Sequence, residues 1–170
     1  MKILKSFIIQ SPIGKILTIS SDEHLYMLKF FTEKDLEEKI EKLKFKLRSD
    51  ITDGYSKIAE LVEFQLGEYF AGRMKNFTIP TFEIGTNFEK QVWEKLKNIP
   101  YGTTSSYKEQ AEVVGAPSAF RAVANANGKN NISLIIPCHR VIRSGGNIGG
   151  YSSGSEIKKW LLEHEKCLVN

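Results

Sequence analysis

Residues 134–142 read LIIPCHRVI and place one thiol and one imidazole side by side between two short apolar runs. The apolar, β-branched runs predict two buried strand segments, and Pro137 between them predicts a turn or bulge. Cys138 is therefore expected at a bend. Neighbouring side chains diverge on both helices and strands, so direct coupling between Cys138 and His139 requires the bend or a bridging water.

Two interpretations of this thiol stay open on local grounds. Free cysteine is among the most buried residue types, so Cys138 could be a structural thiol. An imidazole and a guanidinium beside a thiol, as His139 and Arg140 are here, instead favour a reactive thiolate.

Composition limits the class of protein. The 170 residues, 41% of them hydrophobic, suffice for one domain or two small ones. No apolar run is long enough to span a membrane and no signal peptide is evident, which predicts a soluble, intracellular protein. Two cysteines and three scattered histidines predict reduced thiols and no metal site.

The net positive charge of +4 lies entirely in the second half of the chain. Residues 1–84 carry 13 Lys or Arg and 13 Asp or Glu, whereas residues 85–170 carry 11 and 7. No acid lies between Glu112 and Glu156, the interval that contains the thiol. This asymmetry favours a polyanion such as DNA, although an ordinary solvated surface would have the same composition.

The first half predicts a small sheet followed by two helices. Strands are expected at 3–9, 15–20 and 25–31, separated by turns, which predicts an antiparallel meander. A helix capped by Thr32 and a second helix over 56–71 follow. Residues 72–85 have no helical period, and the domain boundary is predicted after residue 84, giving domains 1–84 and 85–170.

The second half predicts a helix-turn-helix. Thr86 and Glu89 form a capping box that begins a helix, and Pro100 ends it. Two short helices follow, at 106–114 and 119–127, with Gly115 at the turn between them. The second is thin, and its small side chains would let it approach a widened minor groove while Arg121 entered the base stack. Close packing of two helices is the alternative explanation of the alanines.

Residues 144–154 form a glycine- and serine-rich loop, interpreted as a wall around a ligand near Cys138. Ser155 is expected to cap the last helix. Glu165 falls on the apolar stripe of that helix, and a buried carboxylate needs a partner. His139 is the predicted partner, which would give a Glu–His–thiol relay; fraying of Glu165 into solvent is the alternative.

These motifs together resemble the O6-alkylguanine-DNA alkyltransferases, over roughly residues 86–165. The resemblance implies that Cys138 accepts the alkyl group, that His139 and Glu165 activate it through a bridging water, and that Tyr107 assists departure of the base. It assigns the remaining roles as follows: Arg121 as the finger that replaces the flipped nucleotide, Ala122 and Ala126 (with Tyr107) as DNA contacts, Asn130 as a hinge, and Val141, Tyr151 and Ser152 as pocket residues.

The family also implies the fold: an α+β chain with a small ribonuclease-H-like antiparallel-sheet domain, then a mainly helical, winged-helix-like domain containing the helix-turn-helix. The chain departs from the family's usual residues at Asn131 and Ala124, which bears on the hinge and on DNA approach. It also has Lys166 where glycine commonly follows the glutamate. Some members bind zinc in the first domain, but residues 1–84 contain no cysteine and one histidine, so none is predicted here.

The resulting expectation is single-use repair of O6-alkylguanine in duplex DNA, and of O4-alkylthymine as a further substrate, by base flipping and transfer to Cys138. No cofactor is expected, and the protein is expected to act as a cytoplasmic monomer, or a nuclear one in a eukaryote, on DNA of any sequence through the minor groove. A cysteine hydrolase and a DNA-binding damage sensor or regulator without transfer are the alternatives.

Overall fold

The computed structural model describes residues 2–167, which divide between residues 82 and 83 into two compact units. Within the described residues, no helix is both long and apolar enough to cross a membrane. The two units together make an α+β protein, as the sequence predicts, with the sheet in the first unit and most of the helices in the second.

The first unit is a four-stranded sheet with two helices. Its elements are β1 (Ile3–Ser11), β2 (Gly14–Ser20), β3 (Leu25–Phe30), α1 (Leu36–Leu47), β4 (Asp50–Asp53) and α2 (Lys57–Phe70). The strand order is β3-β2-β1-β4; the first three strands pair antiparallel, which confirms the meander, and β4 is parallel to β1. Helix α2 packs on β1 and β2 through its apolar face.

Two features of this unit differ from the sequence prediction. The N-cap of α1 is Asp35 rather than Thr32, because Asp35 Oδ1 accepts a hydrogen bond from the Thr32 backbone N–H (2.8 Å) and closes a turn before the helix begins. Strand β4 was not predicted. It has one buried residue, Ile51, among three exposed ones, so it lacks the apolar alternation that reveals longer strands.

The second unit is mainly helical. Its elements are α3 (Asn87–Leu96), β5 (Ser105–Ser106), α4 (Tyr107–Val113), α5 (Phe120–Gly128), a 3-10 turn (Cys138–Arg140), β6 (Val141–Ile142) and α6 (Ser155–His164). Helix α5 packs on both α3 and α4. The two short strands pair in parallel, with Ser105 opposite Val141, and so join the start of α4 to the segment that follows the thiol.

Local signals fix where these helices begin and end. Complete capping boxes stand at Thr86–Glu89 and Ser106–Glu109, so both predicted helix starts are confirmed. Gly115 adopts φ +80° at the turn between α4 and α5, where a side chain would be strained. The two helices and this turn are the predicted helix-turn-helix.

Trp93 fixes the position of α5. Its indole is 2% exposed, and Nε1 donates to the carbonyl oxygen of Ala126 (2.8 Å). Val92 and Leu96 are buried beside it on α3, and Val123 is buried on α5. The opposite face of α5 is thereby left toward solvent.

The apolar run before the thiol is a turn rather than a strand, so that prediction is wrong. The Ile136 N–H donates to the Ile132 carbonyl oxygen (3.0 Å), and Leu134 takes φ +71°, which no strand allows. Ser155 is the first residue of α6 and does not cap it; the N-cap is Gly154, with no side-chain hydrogen bond.

Candidate active site

Cys138 begins the 3-10 turn that follows Pro137. The Cys138 N–H donates to the Ile136 carbonyl oxygen (2.8 Å), and the Arg140 N–H donates to the Pro137 carbonyl oxygen (3.0 Å). The side chain is 5% exposed and forms part of the wall of a cavity of about 860 Å³. The predicted bend is therefore present, and it directs the thiol into this cavity.

Asn130 ties the end of α5 to the thiol segment. Its amide nitrogen donates to the Ile136 carbonyl oxygen (2.9 Å) and to Cys138 Sγ (3.3 Å), and its amide oxygen accepts from the Ile132 N–H (2.9 Å). The residue is 1% exposed. The fully used amide holds the turn before Cys138 and gives the sulfur a hydrogen-bond donor.

His139, Arg140 and Glu165 form a buried charged cluster behind the thiol. Glu165 Oε1 lies 2.8 Å from His139 Nε2 and 3.0 Å from an Arg140 guanidinium nitrogen, and Oε2 accepts from Arg140 Nε (2.8 Å). Arg140 also donates to the Ile99 carbonyl oxygen (2.7 Å). Glu165, which follows the end of α6, is 1% exposed, so it does not fray into solvent.

The cluster leaves His139 as a neutral base. Burial lowers the pKa of His139 despite the nearby carboxylate. Burial works to raise the pKa of Glu165, but hydrogen bonds from His139 and Arg140 outweigh it and hold that pKa well below its ordinary value. The ionised carboxylate accepts a hydrogen bond from the Nε2–H of His139. Nδ1, which is buried without a hydrogen-bond partner among residues 2–167, then carries the lone pair.

A buried lysine supports the opposite side of the site. Lys158 on α6 is fully buried, and its ammonium donates to the carbonyl oxygens of Val141 (2.5 Å) and Gly150 (3.1 Å). Burial lowers its pKa to about 8. Lys158 therefore joins the strand after the thiol to the glycine-rich loop.

The glycine-rich loop closes against Tyr107, the first residue of α4. Gly149 has φ +72°, so a larger residue would be strained there, and a Cβ would lie at van der Waals contact with the Tyr107 ring, 3.4 Å away. Burial raises the pKa of Tyr107 and raises that of Tyr151 further, so both phenols keep their protons at neutral pH. Each is a hydrogen-bond donor at the cavity.

The predicted site residues fall in three groups. Those that line the cavity are Cys138, Tyr107, Arg121, Tyr151 and Ser152. Those that lie behind the wall, buried, are His139, Glu165, Asn130 and Val141. On α5, Arg121 and Ala122 are exposed, whereas Ala126 is buried and its carbonyl oxygen is held by Trp93.

Sequence reasoning missed three contributions to this site. Arg140 was considered only as a cation near the thiol, whereas it holds Glu165. Lys158 and Asn127 were not considered. The helical spacing could have indicated the lysine. Four buried residues follow the i, i+3, i+4, i+7 pattern on one face of the last helix: Lys158, Leu161, Leu162 and Glu165.

The arrangement is suited to a displacement at sulfur. A thiol faces a cavity, a neutral imidazole with a free nitrogen follows it in the chain, and a carboxylate fixes that imidazole. The phenols of Tyr107 and Tyr151 line the same cavity and can donate to a leaving group that gains negative charge. Among residues 2–167 no group of three His, Cys, Asp or Glu is arranged to hold a metal ion.

Comparison with known proteins covers both units. Residues 87–167 match the family described as 6-O-methylguanine DNA methyltransferase, DNA binding domain. Residues 3–82 match its ribonuclease-like domain. The chain is 40% identical over 161 residues to the methylated-DNA--protein-cysteine methyltransferase of Methanosarcina acetivorans, covering 93% of this chain and 96% of the relative. It is 38% identical to the protein of that name from Shigella flexneri, covering 95% of each.

Solved structures agree with these sequence relatives. The O6-methylguanine methyltransferase of Mycobacterium tuberculosis superposes with a TM-score of 0.82 at 36% identity, over 96% of this chain and 93% of the other. A structure of that bacterium's OGT in complex with DNA gives a TM-score of 0.80 at 35% identity, over 97% and 93%.

Proposed function

The chain belongs to the 6-O-methylguanine DNA methyltransferase family, and from that premise we propose that it repairs DNA by moving the alkyl group of O6-alkylguanine onto Cys138. The observation that carries the assignment of Cys138 is its position in the cavity wall, immediately before the buried His139–Glu165 pair. O4-alkylthymine is a further substrate of the same chemistry.

The proposed reaction is one displacement. The Cys138 proton passes to His139 Nδ1, through a bridging water, and the sulfur attacks the alkyl carbon. The bond between that carbon and guanine O6 breaks, and its electron pair leaves with the base. Tyr107 donates its proton to the departing base, which becomes guanine, and the proton taken up by His139 returns through solvent to the Tyr107 phenolate. Because the thioether has no route back to the thiol, each molecule acts once and needs no cofactor.

The charged cluster supports this chemistry by fixing one tautomer of His139. The Nε2–H of His139 donates a hydrogen bond to Glu165, so Nδ1 is the atom available to accept a proton from the thiol. Arg140 keeps Glu165 ionised and in place through two hydrogen bonds. We assign His139 and Glu165 to activation of the thiol, and Asn130 to holding the thiol segment against α5.

DNA is the partner, and we propose that α5 approaches its minor groove. Arg121 and Ala122 are exposed on this helix, and Ala124 adds a second small exposed side chain. A narrow helix surface suits a groove of about 6 Å that widens on bending. Arg121 would replace the flipped nucleotide in the stack. Ala126, being buried, would serve by letting α5 pack closely on α3 rather than by touching DNA.

The extruded base would occupy the cavity in front of the thiol. Tyr151 and Ser152 line it, and the backbone of Cys138, Val141 and Ser152 would contact the base.

Phosphate contacts carry no sequence information, so binding without strong sequence preference is expected. All of these groups belong to residues 107–165 of one chain, which supports action as a monomer, with residues 1–84 as a supporting domain. Chromosomal DNA as substrate favours a cytoplasmic location, or a nuclear one in a eukaryote.

The test is a titration of lesion against protein. A fixed amount of protein is incubated with increasing duplex containing O6-methylguanine, and the remaining lesion is measured in the hydrolysed DNA. We expect removal to stop at one lesion per protein molecule, with guanine restored. Continued removal would indicate a turning-over enzyme and contradict the single-use scheme.

The same titration separates the two alternatives. A cysteine hydrolase would remove no lesion and would instead turn over ester substrates. A damage sensor would bind the duplex and leave the lesion intact, with binding unchanged by Cys138→Ser. Neither alternative is favoured by the relatives, whose names describe methyl transfer to cysteine.

A further inference from the structure

One face of α5 forms a wall of the thiol cavity. Its lining residues repeat at positions i, i+1, i+4, i+7 and i+8, which is a single helical stripe: Phe120, Arg121, Ala124, Asn127 and Gly128. Most of the stripe is exposed, but Asn127 near its end is only 6% exposed. Of the cavity-lining residues that the structure describes, Asn127 and Cys138 are the two that are buried.

The amide of Asn127 makes no hydrogen bond. Neither Oδ1 nor Nδ2 has a partner among residues 2–167, and both atoms are inaccessible to solvent. Asn130, three residues later, uses its amide for three hydrogen bonds. A buried amide without partners lowers the stability of the fold, so its presence beside a ligand cavity points to a partner that arrives with the ligand.

We propose that Asn127 recognises the extruded base by hydrogen-bonding to an edge of the purine. This inference rests on the proposed function, because it requires a flipped nucleotide in the cavity. Besides the backbone and phenol contacts proposed above, a side chain of α5 would then also contact the base. The end of α5 that carries Asn127 would be part of the base pocket, while the other end of the helix meets DNA.

The chemistry of the two partners is complementary. An asparagine amide offers donors and an acceptor a short distance apart. The edges of guanine likewise combine ring-nitrogen acceptors, at N3 and N7, with the donor of the 2-amino group. Leucine has the same number and branching of side-chain heavy atoms as asparagine, so side-chain shape alone does not call for an amide at this position.

No hydrogen bond among residues 2–167 holds the amide in its present orientation. The terminal torsion of asparagine is broad rather than restricted to narrow wells. Because no hydrogen bond fixes the present orientation, rotation breaks none. Entry of a base would therefore give the amide its first partners, and that gain would be realised only when the nucleotide is fully extruded.

The experiment is a double-mutant cycle in which Asn127→Leu is one change and an altered base in the DNA is the other. Single-turnover transfer rates are measured for four duplexes, which contain O6-methylguanine, its analogue without the 2-amino group, and its 3-deaza and 7-deaza analogues. We expect Asn127→Leu to slow transfer from O6-methylguanine about tenfold, the effect of losing a good base contact. With the analogue that lacks the atom contacted by Asn127, the variant and wild type should react at nearly equal rates, because neither can make that contact.

Controls separate recognition from folding and from the function itself. Asn98→Leu changes an exposed asparagine outside the cavity and should leave every rate unchanged. Thermal unfolding should show Asn127→Leu to be at least as stable as wild type, since an unpaired amide is removed. Equal rates for variant and wild type on O6-methylguanine, or additive effects with all three analogues, would overturn the inference. Absence of transfer by wild type would instead overturn the proposed function.

Discussion

Replacing Glu165 by glutamine tests the buried charged cluster. The carboxylate accepts three side-chain hydrogen bonds, one from His139 at 2.8 Å and two from Arg140 at 2.8 and 3.0 Å. Glutamine keeps one acceptor oxygen and turns an NH₂ group toward a donor. At least one donor is then unpaired, and the Arg140 charge, 6% exposed, loses its counter-charge.

The expected cost follows from this geometry. Removing one partner of a buried ion pair costs about 3–5 kcal/mol. The glutamine oxygen retains part of the hydrogen bonding, so the lower end applies and we expect a loss of about 3 kcal/mol. For a protein of this size that corresponds to a fall in Tm of roughly 6–12 °C. Transfer should slow as well, because His139 loses the group that fixes its tautomer.

The assay is urea unfolding of wild type and variant, repeated as the pH is lowered. Because the pKa of Glu165 is lower in the folded protein than in the unfolded chain, where it is 4.5, the ionised carboxylate stabilises the fold above pH 4.5. That stabilisation is lost as the pH falls toward the pKa of the folded state. The difference between the two proteins should therefore shrink below about pH 4.5. Glu163→Gln, at an exposed pair with Lys159, is the matched control and should change stability by less than about 0.5 kcal/mol. An equally small effect of Glu165→Gln would refute the reasoning.

Three further predictions concern the surroundings of the thiol. Asn130→Ala removes three hydrogen bonds and should cost at least about 2 kcal/mol in thermal unfolding, with slower transfer; unchanged Tm would contradict this. Lys158 has a pKa of 10.5 in the unfolded chain and about 8 in the folded protein, so its deprotonation favours the folded state as the pH rises between these values. The free energy of unfolding of wild type should therefore increase by on the order of 3 kcal/mol relative to that of Lys158→Met from pH 8 to pH 10.5. Parallel stability curves for the two proteins would count against a buried ammonium. Burial raises the pKa of Cys167 to about 11, so iodoacetamide at neutral pH should modify it slowly, as peptide mapping would show; rapid labelling would be inconsistent with its burial.

Local signals in the sequence were sufficient for the starts of α3 and α4. Capping boxes at Thr86 and Ser106 involve residues three apart, so their geometry is written in the sequence itself. The meander was equally accessible, because its strands are joined by short turns. The strands that were not predicted depend on distant contacts: β4 pairs with β1 across 47 residues, and β5 pairs with β6 across 36.

The run before the thiol shows why apolar composition alone misleads. Residues 134–136 are apolar and largely buried, but a buried apolar segment can be a strand or a turn. The turn is set by Asn130, whose amide binds both Ile132 and Ile136. That interaction involves a side chain six residues away and has no periodic signal.

In the site, the Glu165–His139 pair was predictable because a carboxylate on an apolar stripe needs a partner. The roles of Arg140 and Lys158 were not, because long cationic side chains usually reach solvent. Here their charged ends are held by Glu165 and by backbone carbonyl oxygens. Only the assembled site shows that such partners are within reach.

The most direct test of the central claim is the intact mass of the protein after incubation with a duplex containing O6-methylguanine. The account predicts a stoichiometric gain of one methyl group, located on Cys138 by peptide mapping. The gain should persist in Cys167→Ser and disappear in Cys138→Ser. No gain, or a methyl group located on another residue, would contradict the account.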